Sequence, residues 1–299
     1  MPLILGANSL TGGYEVDNSL RFNDGSSDYL NRTSSTPTST TTCTFSAWVK
    51  RADVSGADNG IFVAKVDADN CFYIAFASNK FRVIALSGAS VFASILTNQL
   101  FRDVSAWYHL VVSIDSTQGT SANRVKVYVN GTQVTSLQTA TYPSLSADMK
   151  LGGTHEVGRR EDVAHYFDGY MSEVNFIDGQ QLDPTDFGEF DEDSGIWKPI
   201  AYTGTYGTNG FYLEFQDSSA LGDDTSGNGN DFTVNNLTSI DQTTDTPTNN
   251  FCTLNPLFTF VTTAPTYSDG NLTILGNASA NTYANGTFMV SKGKWYFET

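Results

Sequence analysis

The chain is predicted to fold as an all-β antiparallel sandwich, and three features of its sequence say so. Apolar and polar residues alternate with a period of two in run after run. Turn residues separate those runs at roughly 8–12 residue intervals, and helix signals are nearly absent. The clearest run spans residues 107–134. There Leu110, Val112 and Ile114 alternate with His109, Val111 and Ser113, and Val125, Val127 and Val129 with Lys126, Tyr128 and Asn130. β-Branched residues in alternation suit a pleated, half-buried surface. Asn130-Gly131 supplies a two-residue turn, because both residues accept the positive φ of type I′, and Thr132, Gln133 and Val134 form the return strand. Strands with one apolar face need a second sheet to cover it.

The elements follow in order. Residues 1–16, with Leu3-Ile4-Leu5 and Gly12-Gly13, are expected to form an N-terminal arm. Leu20 and Phe22 lead through an Asp-Gly turn to Tyr29-Leu30, and the Ser/Thr tract 33–42 around Pro37 reads as an extended loop. Residues 43–50 form a strand with Phe45, Ala47 and Val49 on one face and Trp48 on the other. Runs 61–65, 71–76 and 81–86 follow at hairpin spacing, and 91–100 adds another strand. Residues 150–153 read as a short strand ending in glycines, and 166–177 as a longer one closed by Asp178-Gly179. A single helix start is credible, with Asp183 as N-cap and Pro184 in the first turn. Residues 211–217 echo 20–24, which suggests a further strand of the same sandwich.

Composition bounds the function. An apolar fraction of 39% in 299 residues suffices for a core, whereas 16% charged residues is low. The net charge is −16, and 24 of the 32 acidic residues are Asp, which favours turns and loops. Such a surface repels a polyanion, so nucleic acid is not expected as a partner. No run has the unbroken apolar length of a membrane span, so membrane insertion is not expected either. Cys43, Cys71 and Cys252 are odd in number and widely spaced. They imply neither a disulfide framework nor a zinc site, and are expected as small buried hydrophobes. The opening residues lack the basic and apolar regions of a signal peptide, so folding in a reducing cytoplasm is expected.

The blocks S-L-R-F-N-D-G-S-S-D-Y-L, T-F-S-A-W-V-K-R, W-Y-H-L-V-V-S-I-D, V-K-V-Y-V-N-G and F-D-G-Y-M-S-E-V-N-F-I-D-G resemble a laminin G-like domain. That domain belongs to the concanavalin A-like lectin/glucanase superfamily, and the resemblance covers residues 17–190. It implies an antiparallel jelly-roll sandwich, and it is less specific for function. Beyond Trp197, L-G-D-D-T-S-G-N-G-N-D-F and D-Q-T-T-D-T-P-T-N-N-F-C resemble segments of structural proteins of marine tailed phages. Residues 268–299 resemble the opening strands of an SPRY-like module, left incomplete. Residues 191–267 between them read as an accessory strand followed by an Asn/Thr/Asp-rich linker. These resemblances imply a non-enzymatic virion protein made in the host cytoplasm. It would be a tail-fibre or surface-appendage module, bound to other virion proteins and to copies of itself. The alternatives are a lectin-like binder of host-surface glycan and a capsid decoration protein.

Several residues are candidates for chemistry. Residues 189–193 read E-F-D-E-D, with acids at alternate positions. Glucanases of the resembled superfamily set nucleophile, helper and acid/base on one strand face by the same spacing. Here the third position is Asp where that family has Glu, and the run sits beside turn signals, so it reads as loop. Asp67, Asp69 and Asn70 put hard oxygen ligands for calcium in one turn, although the same residues make an ordinary Asx turn. Asp223, Asp224, Asn228, Asn230 and Asp231 form a second oxygen-rich loop. For carbohydrate, Tyr73, Tyr128, Tyr142 and Tyr166 are the candidate stacking platforms. His109, His155 and His165 fall on separate elements, with His109 expected in half-buried packing, and no phosphate-cradling loop is present.

Overall fold

The computed structural model describes residues 13–160, 165–258, 265–276 and 283–292. Among them no α-helix occurs, and the strands follow one another along the chain. The first seven are β1 (Ser19–Phe22), β2 (Tyr29–Thr33), β3 (Thr42–Arg51), β4 (Asn59–Asp67), β5 (Asn70–Ala77), β6 (Lys80–Ser87) and β7 (Ser90–Thr97). Next come β8 (Trp107–Asp115), β9 (Val125–Val129), β10 (Thr132–Gln133), β11 (Leu137–Thr141), β12 (Thr154–Val157) and β13 (Gly169–Asp178). Seven shorter strands complete the order: β14 (Gly188–Phe190), β15 (Trp197–Pro199), β16 (Phe211–Leu213), β17 (Thr233–Asn235), β18 (Gln242–Thr243), β19 (Thr266–Ser268) and β20 (Thr273–Leu275).

Two antiparallel sheets face each other. The first runs β10-β9-β8-β3-β13-β1-β18, with β16 also paired to β13. The second runs β11-β7-β6-β5-β4-β12-β2-β17. Register follows the hydrophobic pattern: Cys43, Phe45 and Ala47 of β3 lie opposite Ile114, Val112 and Leu110 of β8. All six enter the buried core between the sheets. Phe62 of the second sheet sits at its centre, 5.2 Å from Phe45 and 5.3 Å from Phe176 between ring centroids. Burying one such ring stabilises the fold by about 1.5–3 kcal/mol.

The Asn130-Gly131 turn has φ of 47° and 76°, as its type requires. Gly131 answers a second demand, because a Cβ there would lie 2.4 Å from the Trp197 ring. Residues 150–153 are not a strand: Lys150 takes φ 62°, which breaks the extension, and pairing begins at Thr154. Residues 184–186 form a single 3-10 turn in place of a helix. It is closed at its start where Asp183 N donates to the Asp186 carboxylate at 3.1 Å. Residues 191–267, expected as one accessory strand and a linker, supply β16 and β18 to the first sheet and β17 to the second. Residues 1–12 of the expected arm lie outside the described residues. So do 277–282 and 293–299 of the expected SPRY-like start; its described part contains β20.

The outer face of the first sheet is covered by the chain itself. Trp48, Trp107, Tyr170 and Trp197 form one buried aromatic cluster there. Lys50 Nζ, buried, donates to Asp245 at 2.7 Å, to Asn250 Oδ1 at 2.9 Å and to the Phe251 carbonyl at 2.8 Å. Trp107 Nε1 donates to the other Asp245 oxygen at 3.1 Å. Farther along, Tyr170 Oη donates to Gly270 O at 2.8 Å, and Asn271 Nδ2 to Ala52 O at 3.1 Å. Gly270 has to be glycine for this approach, since a Cβ would meet Tyr170 Oη at 2.5 Å. Trp197, Asp245, Asn250, Phe251 and Gly270 therefore form a roof over this face of the first sheet. Among the described residues no helix is long and apolar enough to cross a membrane.

Candidate functional site

The candidate calcium residues occupy the turn between β4 and β5. Asp67 Oδ1 accepts from Asp69 N and from Asn70 Nδ2, both at 2.9 Å, and Oδ2 accepts from the same amide at 3.1 Å. The Asn70 amide beside Asp67 holds that carboxyl below its usual range. Asn70 Oδ1 in turn accepts from Gly88 N at 3.1 Å. Two N–H donors thus hold the Asp67 carboxylate in the turn. No group of three His, Cys, Asp or Glu that could hold a metal occurs among the described residues. The donor set makes an Asx turn.

Beside this turn lies an open cavity of about 380 Å³. Pro37 and Val66 give it apolar surface above the buried Leu151, and Asn70, Asp148 and Lys150 give it polar groups, with Lys150 Nζ 3.2 Å from Asp148. Val66 is 62% exposed. A small apolar floor rimmed by a few hydrogen-bonding groups suits a hydroxylated ring. The second oxygen-rich loop is equally occupied with itself. Asp224 accepts from Tyr212 N, Ser226 N, Ser226 Oγ and Asn230 N at 2.8–2.9 Å. Asp231 accepts from Asp224 N at 3.0 Å. The loop is fastened to the sandwich where the buried Arg32 donates to Asn230 Oδ1 and, at 3.2 Å, to Asn209 O.

The four tyrosines do not converge. Tyr73 is 4% exposed and packs with Val63, Cys71, Ala75 and Ile84 on the outer face of the second sheet. Tyr128 is 7% exposed and lies on the outer face of the first sheet with Val111, Ile177 and Phe187, its hydroxyl donating to Asp183 at 3.1 Å. Rings buried to this degree on opposite sides of the molecule offer no stacking face for a sugar. Tyr142 is half-buried against the core. Tyr166, also half-buried, stands 6.1 Å from Tyr29, with the Arg159 guanidinium 3.9 Å from the Tyr29 ring centroid.

The acidic run belongs to the β14–β15 hairpin, apart from both sheets. Glu189 is paired with Lys198 at 3.1 Å, and Asp191 accepts from Ser194 N and Oγ, both at 2.8 Å. This is turn chemistry, and no central strand presents the three acids together.

Three buried sites carry more unusual chemistry than the candidate calcium, sugar or acidic residues. His109 is fully buried, where half-buried packing is expected from its sequence neighbours. It lies between Trp48 and Trp197 at 4.9 and 5.9 Å. Trp197 Nε1 donates to its Nδ1 at 3.0 Å, so the neutral ring carries its proton on Nε2 and donates to Ser46 Oγ at 2.8 Å. Burial pushes its pKa down to about 3. Glu173 sits at a bulge of β13 with φ 52°, gripped by Tyr212 Oη at 2.7 Å and Tyr14 Oη at 2.8 Å. Burial raises its pKa to about 7 against the hydrogen bonds of those phenols. Asp168 is pushed up to about 8 by burial and by Asp24, Asp53 and Asp269, and its Oδ1 has no hydrogen-bond partner. Local spacing carries no signal for any of the three, because each draws partners from distant elements. Of the cysteines, Cys43 and Cys71 are buried and Cys252 is exposed.

No curated protein matches the chain at a significant level. Among solved structures, a native heptameric SAP-like pentraxin from Limulus polyphemus is similar at 16% identity, with a TM-score of 0.41, over 56% of this chain and 78% of that one. A proposed carbohydrate binding protein from Bacteroides ovatus shares 14% identity at a TM-score of 0.48, over 74% of this chain and 59% of its own. Domains LG4-5 of the mouse laminin α1 chain share 11% at a TM-score of 0.41, over 65% and 47%. This chain thus spans less than two thirds of the latter two. The laminin G family model of the concanavalin A-like lectin/glucanases superfamily matches residues 24–184, more than half of the 299. With the two facing antiparallel sheets over the same residues, the chain belongs to the concanavalin A-like lectin/glucanases superfamily.

Proposed function

We propose that this chain is a non-enzymatic contact module of a tailed-phage virion. It would be a β-sandwich unit of a tail fibre or similar surface appendage, joined to other virion proteins and to copies of itself. The observation that carries the reading is the roof over the first sheet. The buried Lys50–Asp245 pair and the Trp48–His109–Trp197 stack fasten the downstream chain to the sandwich. Sandwich and continuation become one stiff body, as an appendage that transmits force requires. The phrases after Trp197 that resemble marine tailed-phage structural proteins supply the setting, the virion. The turn chemistry of residues 189–193 and the open, shallow form of the rim cavity favour contact over catalysis. Mass spectrometry of purified particles, with antibody labelling in electron micrographs, tests the reading. The protein is expected on the tail or its appendages; labelling over the capsid shell would make it a decoration protein, and absence from particles would overturn the virion role.

A second reading, glycan binding, rests on the rim cavity with Asn70, Asp148 and Lys150 on its margin. A glycan array of the protein, with and without chelator, tests it. Hits that persist in chelator and vanish in Lys150→Ala support binding at the cavity, and a silent array removes the reading.

A further inference from the structure

We infer that the free edge formed by β11 is a self-association surface, on which a second copy of this chain extends the second sheet by antiparallel pairing. The inference deepens the appendage reading and rests on it only for the expectation of symmetry.

β11 is the outermost strand of its sheet, hydrogen-bonded to β7 on one side. Among the described residues nothing pairs with its other side, and Leu137–Thr141 are exposed or half-exposed throughout. Unpaired N–H and C=O groups along a strand are a template for another strand, and proteins ordinarily blunt such an edge with charge, proline, a bulge or a short length. The other ends of the two sheets are blunted in this way. β10 and β18 have two residues each, and β17 has three. Asp231 precedes β17, and Asp241 precedes β18. β11 has five residues, L-Q-T-A-T, without a charge or a proline. No charged residue occurs between Lys126 and Asp148. A register shift between Leu137 and Thr139 is the one irregularity of its pairing. The cation that reaches it, Lys80 of β6, is tied to Gln138 Oε1.

The electrostatics choose the occupant. Two copies carry −16 each, so they can approach closely only where that charge is locally absent. The side of the sandwich that bears β11 also bears β10, the first strand of the other sheet. A cavity of about 410 Å³ lies beside β10 and the residues that lead from it to β11, lined by Gln99, Val129, Asn130, Gln133, Val134 and Ser136 and by no charged group. Leu100 and Leu145 are more than half exposed and add apolar area in sequence beside it. A two-fold axis through a five-residue antiparallel strand passes near its middle residue, so Thr139 would face Thr139 of the second copy. The contact is isologous and closes on itself, giving a dimer and not a fibre.

Sedimentation velocity on the full chain decides the matter. The wild-type protein is expected as a dimer of 32.4 kDa chains. Thr139→Lys and Thr139→Glu each place like charges opposite one another and are expected to weaken dimerisation roughly tenfold or more. An equimolar mixture of the two variants is expected to restore dimers, because opposite charges then face across the axis. Restoration also shows that each variant is folded. A monomeric wild type overturns the inference, as does a wild-type dimer that both single variants leave unchanged or that mixing fails to restore. Neither result bears on whether particles contain the protein, so a failure here is separable from a failure of the virion role.

Discussion

The outer faces of the two sheets are both closed, and they are closed by different means. On the first sheet, the Trp197 ring, Asp245, Phe251 and Gly270 lie over Trp48, Trp107 and Tyr170, and Lys50 and His109 beneath them are buried. On the second, the cluster Val63, Cys71, Tyr73, Ala75 and Ile84 lies under long charged side chains. The Arg160 guanidinium sits 5.3 Å from the Tyr73 ring centroid and is paired with Asp58 at 2.6 Å. Glu156 is held by Lys65 at 2.9 Å and by Arg159. Cover by chain makes buried ion pairs that tolerate no missing partner. Cover by charged stems buries Glu156 too, but it leaves the heads around Asp58 partly in water, where each pair is worth little. Surface free for partners is therefore found at the rims and edges, and on the second sheet, before it is found on the first.

The largest test of this contrast is Asp245→Ala. Lys50 is fully buried, and burial already works against its charge while Asp245 supports it. Removing the carboxylate leaves an ammonium without a counter-charge, at a cost of about 3–5 kcal/mol. Denaturant unfolding is expected to show that loss, and hydrogen exchange is expected to accelerate first at residues 243–251. A cost near that of a surface pair would mean that water reaches Lys50 and the roof is loose. Trp197→Ala comes next, at about 3–5 kcal/mol by cavity formation, since the ring closes on Gly131 and donates to His109. Its signature is that His109, relieved of its cover, titrates closer to 6.5, which NMR of the imidazole would read.

How much of this is legible in the sequence follows from the range of the interactions involved. Alternation within β3, β8 and β9 assigns their faces correctly, and Asn130-Gly131 marks the turn, because both are properties of neighbouring residues. β11 leaves no such mark, since L-Q-T-A-T at an exposed edge has no apolar face to alternate. Lys150 reads as the start of a strand, yet its positive φ is imposed by the loop it closes. The candidate calcium turn is legible as a turn, and its hydrogen bond from Asn70 is local too. The tyrosines are not legible as buried rings, because burial is decided by which sheet face a roof or an arginine covers. Glu173 leaves no trace at all: its partners Tyr14 and Tyr212 stand 159 and 39 residues away.

That residue gives the third test, in pH. Its folded pKa is raised from 4.5 to about 7, so the folded state keeps the proton longer than the unfolded chain does. The groups facing it among the described residues are Tyr14, Tyr212 and Glu214, none of them a cation. Its contribution to stability is full below pH 4.5 and is lost as pH rises towards 7. His109 works the opposite way: with its pKa lowered from 6.5 to about 3, its contribution is full above pH 6.5 and is lost as pH falls. The two slopes oppose each other in the wild type, so the informative quantity is the difference from Glu173→Gln. That difference is expected near zero below pH 4.5 and to grow, in favour of the variant, to about 3 kcal/mol above pH 7. A flat difference would show that Glu173 is solvated and that the junction of Tyr14 with β13 and β16 is open.

The smallest expected effect lies on the second sheet. Arg82 lies 3.6 Å from Asp58, with side-chain exposures of 30% and 24%, and Asp58 has a second cation in Arg160. Arg82→Ala therefore leaves no charge stranded, and what it removes is a screened pair and part of a stem over Tyr73, 5.9 Å from its centroid. The cost is expected at about 0.2–1 kcal/mol and to shrink as salt is added. Asp245→Ala, by contrast, should be nearly indifferent to salt, because its pair is shielded from ions by the roof. Measuring both variants at low and high ionic strength compares the two faces directly. Equal salt dependence would mean that both faces are wet, or both dry, and that chain and side chains cover a sheet in the same way.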